Sequence, residues 1–229
     1  MRWIIRDLGH TYFPSLLGPS PIVIDLGANH GEFTRVMSSN YGANCIAVEP
    51  NRLLHPDILL TGATHVLLAA IGSENGQAAF NVSSKDDAST LLPVIGVENN
   101  AAVVPTVRLE SLIDELSLTR IDLLKIDIEG MEVEAILTLR PDQLAIVQQL
   151  SVEFHDAQGY VTQKDVSRAI LHMRDAAFRH VKMSFKDHSD VLFVRADRCS
   201  WLRWARVTLI DVKLHQLKRV FERINLTCA

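Results

Sequence analysis

The sequence predicts an α/β fold: a doubly wound, Rossmann-like, mostly parallel sheet of seven strands with an antiparallel edge strand, plus a C-terminal helix. Three observations carry this expectation. Short β-branched runs alternate with segments of helical period along most of the 229 residues, the pattern of a parallel sheet wrapped by helices. A glycine turn sits where the first strand meets the first helix. A late pair of apolar runs, joined by a short polar link, can add an antiparallel strand.

The elements follow in order. Residues 1–20 form a lead-in, expected to be helical, before the domain proper at 21–196. Pro21-Ile-Val-Ile-Asp25 is a β-branched run, and residues 31–40 read as a helix. Asn44-Cys-Ile-Ala-Val-Glu49 is a second strand closed by Pro50, followed by a short helical stretch over 51–60 that Pro56 interrupts. His65-Val-Leu-Leu-Ala-Ala-Ile71 is a third strand, stopped by Gly72. Two strand pieces at 78–82 and 102–107 flank the polar stretch 83–90, which predicts an irregular hairpin or cap over the site. Then come a helix at 108–117, a strand at 120–127, a helix at 130–139, a strand at 144–154 and a helix at 163–177. Residues 180–185 and 190–194 are the late strands.

Composition excludes several classes. Hydrophobic residues make up 48% and charged residues 22%, which excludes long disorder, collagen and low-complexity repeats. No apolar run approaches the ~18 residues of a membrane span. The opening Met1-Arg-Trp-Ile-Ile-Arg-Asp7 lacks the pattern of a secretory signal. The three cysteines, Cys45, Cys199 and Cys228, are widely spaced and lack CxxC pairing. They predict neither a disulfide framework nor a cysteine metal site, and no metal is expected. A cytoplasmic setting follows as the expectation. Net charge is −4, unevenly spread: residues 195–229 carry eight basic and three acidic side chains, a net +5, which leaves −9 for residues 1–194. The acidic body predicts no broad nucleic-acid surface.

Asp25-Leu-Gly27-Ala-Asn-His-Gly31 is the first motif with chemistry in it. In open α/β sheets ligands bind beyond the carboxyl ends of the strands, and glycines let the backbone approach them. The spacing is Gly-x-x-x-Gly, not the Gly-x-Gly-x-x-Gly of dinucleotide enzymes. Asp25 would repel a pyrophosphate and could attract an ammonium or sulfonium cation. Glu49 lies 24 residues on, at the end of the second strand, where a carboxylate accepts hydrogen bonds from ribose hydroxyls. A nucleoside with an amino-acid tail and no phosphates fits this set, which describes S-adenosylmethionine.

Lys125-Ile-Asp127-Ile-Glu129-Gly130-Met-Glu132 is the second motif. A lysine inside an apolar strand needs a partner. Lys125 and Asp127 project to one side of that strand, since side chains alternate with period two. Asp25, Asp127 or a neighbouring carboxylate could pair with Lys125, and a buried structural ion pair is favoured over direct catalysis. Helix capping explains one of Asp127, Glu129 and Glu132, not all three. Val152-Glu153-Phe154-His155 closes the next strand. Asp127, Glu153 and His155 are therefore the candidate catalytic residues, a carboxylate–histidine set suited to taking a proton from an acceptor hydroxyl.

At these residues the sequence resembles the FkbM family of S-adenosylmethionine-dependent methyltransferases. Ile24–Gly31, Val48–Pro50, Ala69–Gly72, Thr106–Leu112 and Lys125–Glu132 carry the resemblance, with Val152–His155 and Asp190–Val194 similar to later family blocks. The resemblance implies a class I methyltransferase fold and, usually, O-methylation of a small hydroxyl acceptor such as a sugar or natural product. It implies that Asp25, Gly27, Ala28, Asn29 and Gly31 form the cofactor turn, that Glu49 and Pro50 meet the ribose, and that Ala70 and Ile71 lie near the adenine. Arg108-Leu-Glu110 stands where most members carry a hydroxy-acidic pair. A nicotinamide-dependent oxidoreductase is the alternative enzyme; the missing third glycine and the crowd of carboxylates speak against it. An inactive cofactor-binding scaffold is the non-enzyme alternative.

Residues 197–229 match no block of that family. Val207, Ile210, Leu214, Leu217, Phe221 and Ile224 recur at alternating spacings of three and four, a heptad seam on a basic amphipathic helix. Such a helix can dock on its own domain, pair in a homodimer, or lie on a membrane surface, the last favoured by Trp201, Trp204 and the basic flank.

Overall fold

A computed structural model describes residues 3–81, 90–91 and 101–213. The chain begins with two short strands, β1 (Ile5–Asp7) and β2 (His10–Tyr12), paired antiparallel. Leu8 and Gly9 join them with φ of 49° and 92°, the paired positive angles of a tight hairpin turn. The expected helical lead-in is thus a hairpin: β-branched and aromatic residues flank a glycine that supplies the turn. β2 lies against the main sheet, and Asp190 ties it there. This buried carboxylate accepts from Arg6 Nε at 2.8 Å and from the Thr11 amide and hydroxyl at 3.2 and 2.8 Å.

The main sheet holds β3 (Ile22–Leu26), β4 (Asn44–Val48), β5 (His65–Leu67), β9 (Leu123–Ile126), β10 (Gln149–Val152), β11 (Phe178–Lys182) and β12 (Val191–Arg195). Its order is β11-β12-β10-β9-β3-β4-β5. All neighbours run parallel except β12, which is antiparallel to both β10 and β11. The antiparallel strand therefore lies second from the edge, and not at it as the sequence suggested. The crossover after β10 skips one position to place β11 at the edge, and the hairpin back fills the gap with β12.

Helices α1 (Glu32–Tyr41), α2 (His55–Leu59), α3 (Leu109–Glu115), α4 (Glu132–Thr138), α5 (Pro141–Ile146) and α6 (Gln163–Asp175) connect these strands. The expected strand at 144–154 begins later, at Gln149, because Pro141 opens α5 in its first turn, where a missing amide costs nothing. The third strand divides after Leu67. Its second half, β6 (Ala70–Ile71), leaves the main sheet to pair with β8 (Ala101–Val107), which also pairs antiparallel with β7 (Gly76–Asn81). Both halves are apolar, so the sequence reads them as one run. Residues 83–89 of the expected polar cap lie outside the described residues.

Strand alternation builds two cores. Ile24, Leu26, Leu124, Ile126, Val191 and Phe193 face one side with α3, α4 and α6. Val23, Cys45 and Leu123 face the other with Phe33 and Met37 of α1. Cys45 and Cys199 are buried free thiols. α7 (Trp201–Arg206) opens the tail, capped by Ser200, and runs into a π-helical turn at Val207–Asp211. Val207 and Val212 dock on Phe13, Leu192 and Val194. The expected heptad seam changes here: the wider π turn brings Val212 into the core while Ile210 stays 48% exposed. Leu214, Leu217, Phe221 and Ile224 lie outside the described residues. No helix among the described residues is long and apolar enough to cross a membrane.

Candidate active site

The carboxyl ends of β3, β4 and β9 open on a pocket of about 650 Å³, its mouth included. Gly27, Asn29, Glu49, Pro50, Ala70, Ile71 and Asp127 line it, together with Val48, Leu54, Ala69, Phe80, Leu91, Ile128 and Glu129. Six of the nine expected cofactor residues thus meet in one cavity. Asp25, Ala28 and Gly31 do not line it.

The turn is held by steric fit. Gly27 has φ of 73°, and a β-carbon there would collide with the Asp127 carbonyl. Gly31 has φ of 75°, and its β-carbon would stand 2.7 Å from Thr61 Cγ2. Only glycine satisfies either position. The amides of Gly27 and Ala28 are spent on the Val48 carbonyl at 3.0 and 3.1 Å. Ala28 is therefore part of the turn's anchor, and Gly31 part of its packing on α2.

Glu49 joins both halves of the pocket. Its Oε2 accepts from the Asn29 amide at 2.9 Å and its Oε1 from the Asn51 amide at 2.8 Å. Burial pushes the Glu49 carboxyl up, against the pull of these amides, Lys125 and His55. Each oxygen keeps a second lone pair, so the carboxylate can accept from a ligand as well.

Asp25 does not reach the pocket, and this corrects its expected role as a magnet for a bound cation. It is fully buried beneath the turn, where Thr34 Oγ1 donates to Oδ2 at 2.7 Å and Lys125 Nζ stands 3.1 Å from Oδ1. Asp25 and Lys125 are register partners across β3 and β9. Lys125 also donates to the Gly27 carbonyl at 2.7 Å and lies 3.5 Å from Asp127 Oδ2. Burial alone would lower its pKa; Asp25 and Asp127 more than reverse this. The favoured reading of Lys125 as a buried structural ion pair matches this geometry.

Asp127 sits among nitrogen groups. Besides Lys125, His10 Nε2 lies 3.4 Å from Oδ2 and His155 Nε2 3.6 Å from Oδ1. Burial would raise its pKa, but these neighbours hold it well below the usual carboxylate range. His155 is buried between carboxylates, with Nδ1 2.8 Å from Glu132 Oε1 and Nε2 3.3 Å from Glu129 Oε2. Burial disfavours its charged form, yet Glu129 and Glu132 outweigh that and push its pKa up to about 11. These carboxylates favour the imidazolium form of His155, which opposes its use as the proton acceptor that the sequence suggested. Glu153 stands beside Asp127 but does not line the pocket; burial and the nearby Asp127 charge push it up to about 7.

The remaining acidic residues have structural work. Glu132 Oε1 also accepts from the Gly130 amide at 2.9 Å, fixing the loop before α4. Glu129 takes the left-handed conformation, φ 51°, and Thr90 Oγ1 donates to its carbonyl at 2.6 Å. Arg108 and Glu110 pair at 2.7 Å. Two sets of ligand-type atoms, His10–Asp127–Glu153 and Asp127–Glu129–His155, fall within 4.8 Å of one another.

His10 is the site residue that sequence reasoning missed. The hairpin turn delivers it beside Asp127, where it is buried, 3.4 Å from Ser151 Oγ and edge-on to Phe33. The signal was present as the glycine just before it, flanked by short β-prone stretches.

Comparison with known proteins places the chain in a family. Among curated proteins, a 55-residue stretch is 46% identical to the AMB antimetabolite synthetase AmbE of Pseudomonas aeruginosa. It spans 24% of this chain and only 3% of AmbE. Among solved structures, the chain is similar to an rRNA methylase from Streptococcus thermophilus, at 12% identity and TM-score 0.44, covering 79% of this chain and 90% of that one. It is also similar to a precorrin-6y C5,15-methyltransferase from Geobacter metallireducens, at 11% identity and TM-score 0.41, covering 79% and 84%. The model of the methyltransferase FkbM domain matches residues 25–180, from the buried Asp25 through the whole pocket to the edge strand, and the chain belongs to that family.

Proposed function

We propose that the protein transfers a methyl group from S-adenosylmethionine to a hydroxyl oxygen of a small, uncharged, polar acceptor, a sugar or a natural product. The observation that carries this reading is the join between two sites: the pocket of Glu49 and the glycine turn runs directly into Asp127, beside a glutamate whose pKa lies near 7.

The residues fit the cofactor. Glu49 is held by two amides with lone pairs to spare for ribose hydroxyls. Leu54, Ala69, Ala70, Ile71, Phe80 and Leu91 give an apolar wall suited to adenine. Gly27 and Asn29 lie where the amino-acid end would rest. When bound, the cofactor supplies an electrophilic methyl group.

The chain's own contribution is proton handling and orientation. Glu153 takes the acceptor's hydroxyl proton as the new bond forms. Asp127, kept anionic by Lys125 and His10, accepts a hydrogen bond from the acceptor and fixes its orientation. His155 holds Glu129 and Glu132 in place as a buried cation. Most of the acceleration comes from holding oxygen and methyl in line. Three carboxylates in one site, on a body of net charge −9, repel anionic acceptors and favour neutral polyhydroxyl ones.

An acceptor screen that measures S-adenosylhomocysteine release tests this. Turnover is expected with a neutral hydroxylated acceptor and not with Glu153→Gln. Cofactor binding with no turnover on any acceptor, or turnover confined to amines, would overturn it.

A further inference from the structure

We infer that the outward face of the C-terminal helix is a peripheral docking surface for an anionic lipid bilayer. α7 buries one side only, through Val207 and Val212, with Trp204 packed beside them. The other side exposes Trp201 by 69%, Leu202 by 77% and Leu209 by 71%. Trp201 and Leu202 lie about 100° apart on α7, and Leu209 is exposed on the π turn that follows. Large apolar side chains left together in water mark an interaction surface.

Charge identifies the partner. Arg198, just before the helix, and Arg206 and Lys213 along it are exposed. Lys213 Nζ stands 5.6 Å from the Phe185 ring, which joins exposed Phe185 and its neighbour Lys186 to the same region. Arg203 and Arg206 lie 4.5 and 5.7 Å from the Trp3 ring, so the helix is fixed on the body. Asp197 is matched by Arg195 and Arg198. The segment 195–229 as a whole carries +5. Tryptophan and leucine beside lysine and arginine is the pattern of a helix lying in a membrane interface. Anionic headgroups attract the cations, and the apolar side chains enter the boundary with the acyl chains. A second copy of the chain fits less well, because a two-fold interface sets a patch against itself and its cations against one another.

The test is co-sedimentation of the full chain with large unilamellar vesicles of phosphatidylcholine alone or with 30% phosphatidylserine (roughly the anionic share meant to mimic a charged leaflet). Binding is expected with the anionic vesicles only, weakening as salt rises, with a blue shift of tryptophan emission. Trp201→Ser with Leu202→Ser should abolish it. Arg198→Glu and Lys213→Glu should each weaken it by about fivefold or more. All four positions are exposed, and unchanged melting temperatures will show that the variants fold. Equal binding to neutral vesicles, or no binding at low salt, overturns the inference. So does light scattering that shows a dimer which the Trp201→Ser, Leu202→Ser variant dissociates.

Discussion

The amide of Asn29 donates to Oε2 of Glu49 at 2.9 Å, tying the glycine turn after β3 to the end of β4. This bond lets one carboxylate both shape the pocket and face a ligand. Glu49→Gln keeps the size, removes the charge and leaves one of the two amides facing an NH2 group. It should cost about 1.5–3 kcal/mol of S-adenosylhomocysteine affinity, the range for a charge-assisted hydrogen bond, as read by calorimetry. Glu49→Ala should also lower the melting temperature, since it strands the amides of Asn29 and Asn51. An unchanged dissociation constant in Glu49→Gln would place the ribose elsewhere.

Gly27 and Gly42 make an internal comparison. Both have positive φ, but a β-carbon at Gly42 meets nothing within 4 Å, whereas at Gly27 it meets the Asp127 backbone. Gly42→Ala should cost about 1–2 kcal/mol, the strain of the left-handed region alone. Gly27→Ala should cost clearly more in thermal melts and lose cofactor binding. Equal losses would mean that β9 yields to the added atom.

Lys125 is buried with carboxylates on two sides. Lys125→Met strands Asp25 and Asp127 and should destabilise the fold by about 3–5 kcal/mol, the cost of breaking a buried ion pair from one side. Urea unfolding measures it. A loss below about 1 kcal/mol would show that water reaches Asp25.

As the proposed base, Glu153 should set the pH dependence. Turnover should rise as pH passes about 7, where Glu153 loses its proton. Glu153→Gln should lower turnover by roughly 10²–10⁴-fold and remove that limb. Its raised pKa also means that Glu153 costs stability as pH climbs from its unfolded value to about 7, because the folded state holds the proton longer. His155 has the same slope in a higher window. Its folded pKa of about 11 makes it stabilising below its unfolded value, and this contribution fades as pH rises towards 11. A rate limb that vanishes in His155→Gln and persists in Glu153→Gln would reverse the assignment.

The sheet was legible because each parallel strand, buried on both faces, reads as a short apolar run closed by glycine, proline or an acidic residue. The pocket was legible for the same reason: Gly27, Glu49 and Asp127 sit at those closures. What was hidden depends on tertiary context. No local pattern says that Asp25 spends its charge on Lys125, or that Glu129 and Glu132 favour the charged form of His155. His10 lies more than a hundred residues from Asp127 in sequence and reaches it only because Asp190 anchors the hairpin. The π turn after Arg206 breaks the heptad register without any residue that announces it.

The central claim is that the pocket between Gly27 and Glu49 takes S-adenosylmethionine and its product. Calorimetry of the full chain with S-adenosylhomocysteine, with NAD as the competitor class, tests it most directly. One equivalent of S-adenosylhomocysteine should bind, weakened in Glu49→Gln and lost in Gly27→Ala, with no heat from NAD. Tighter binding of NAD, or no binding of S-adenosylhomocysteine to folded protein, would contradict it.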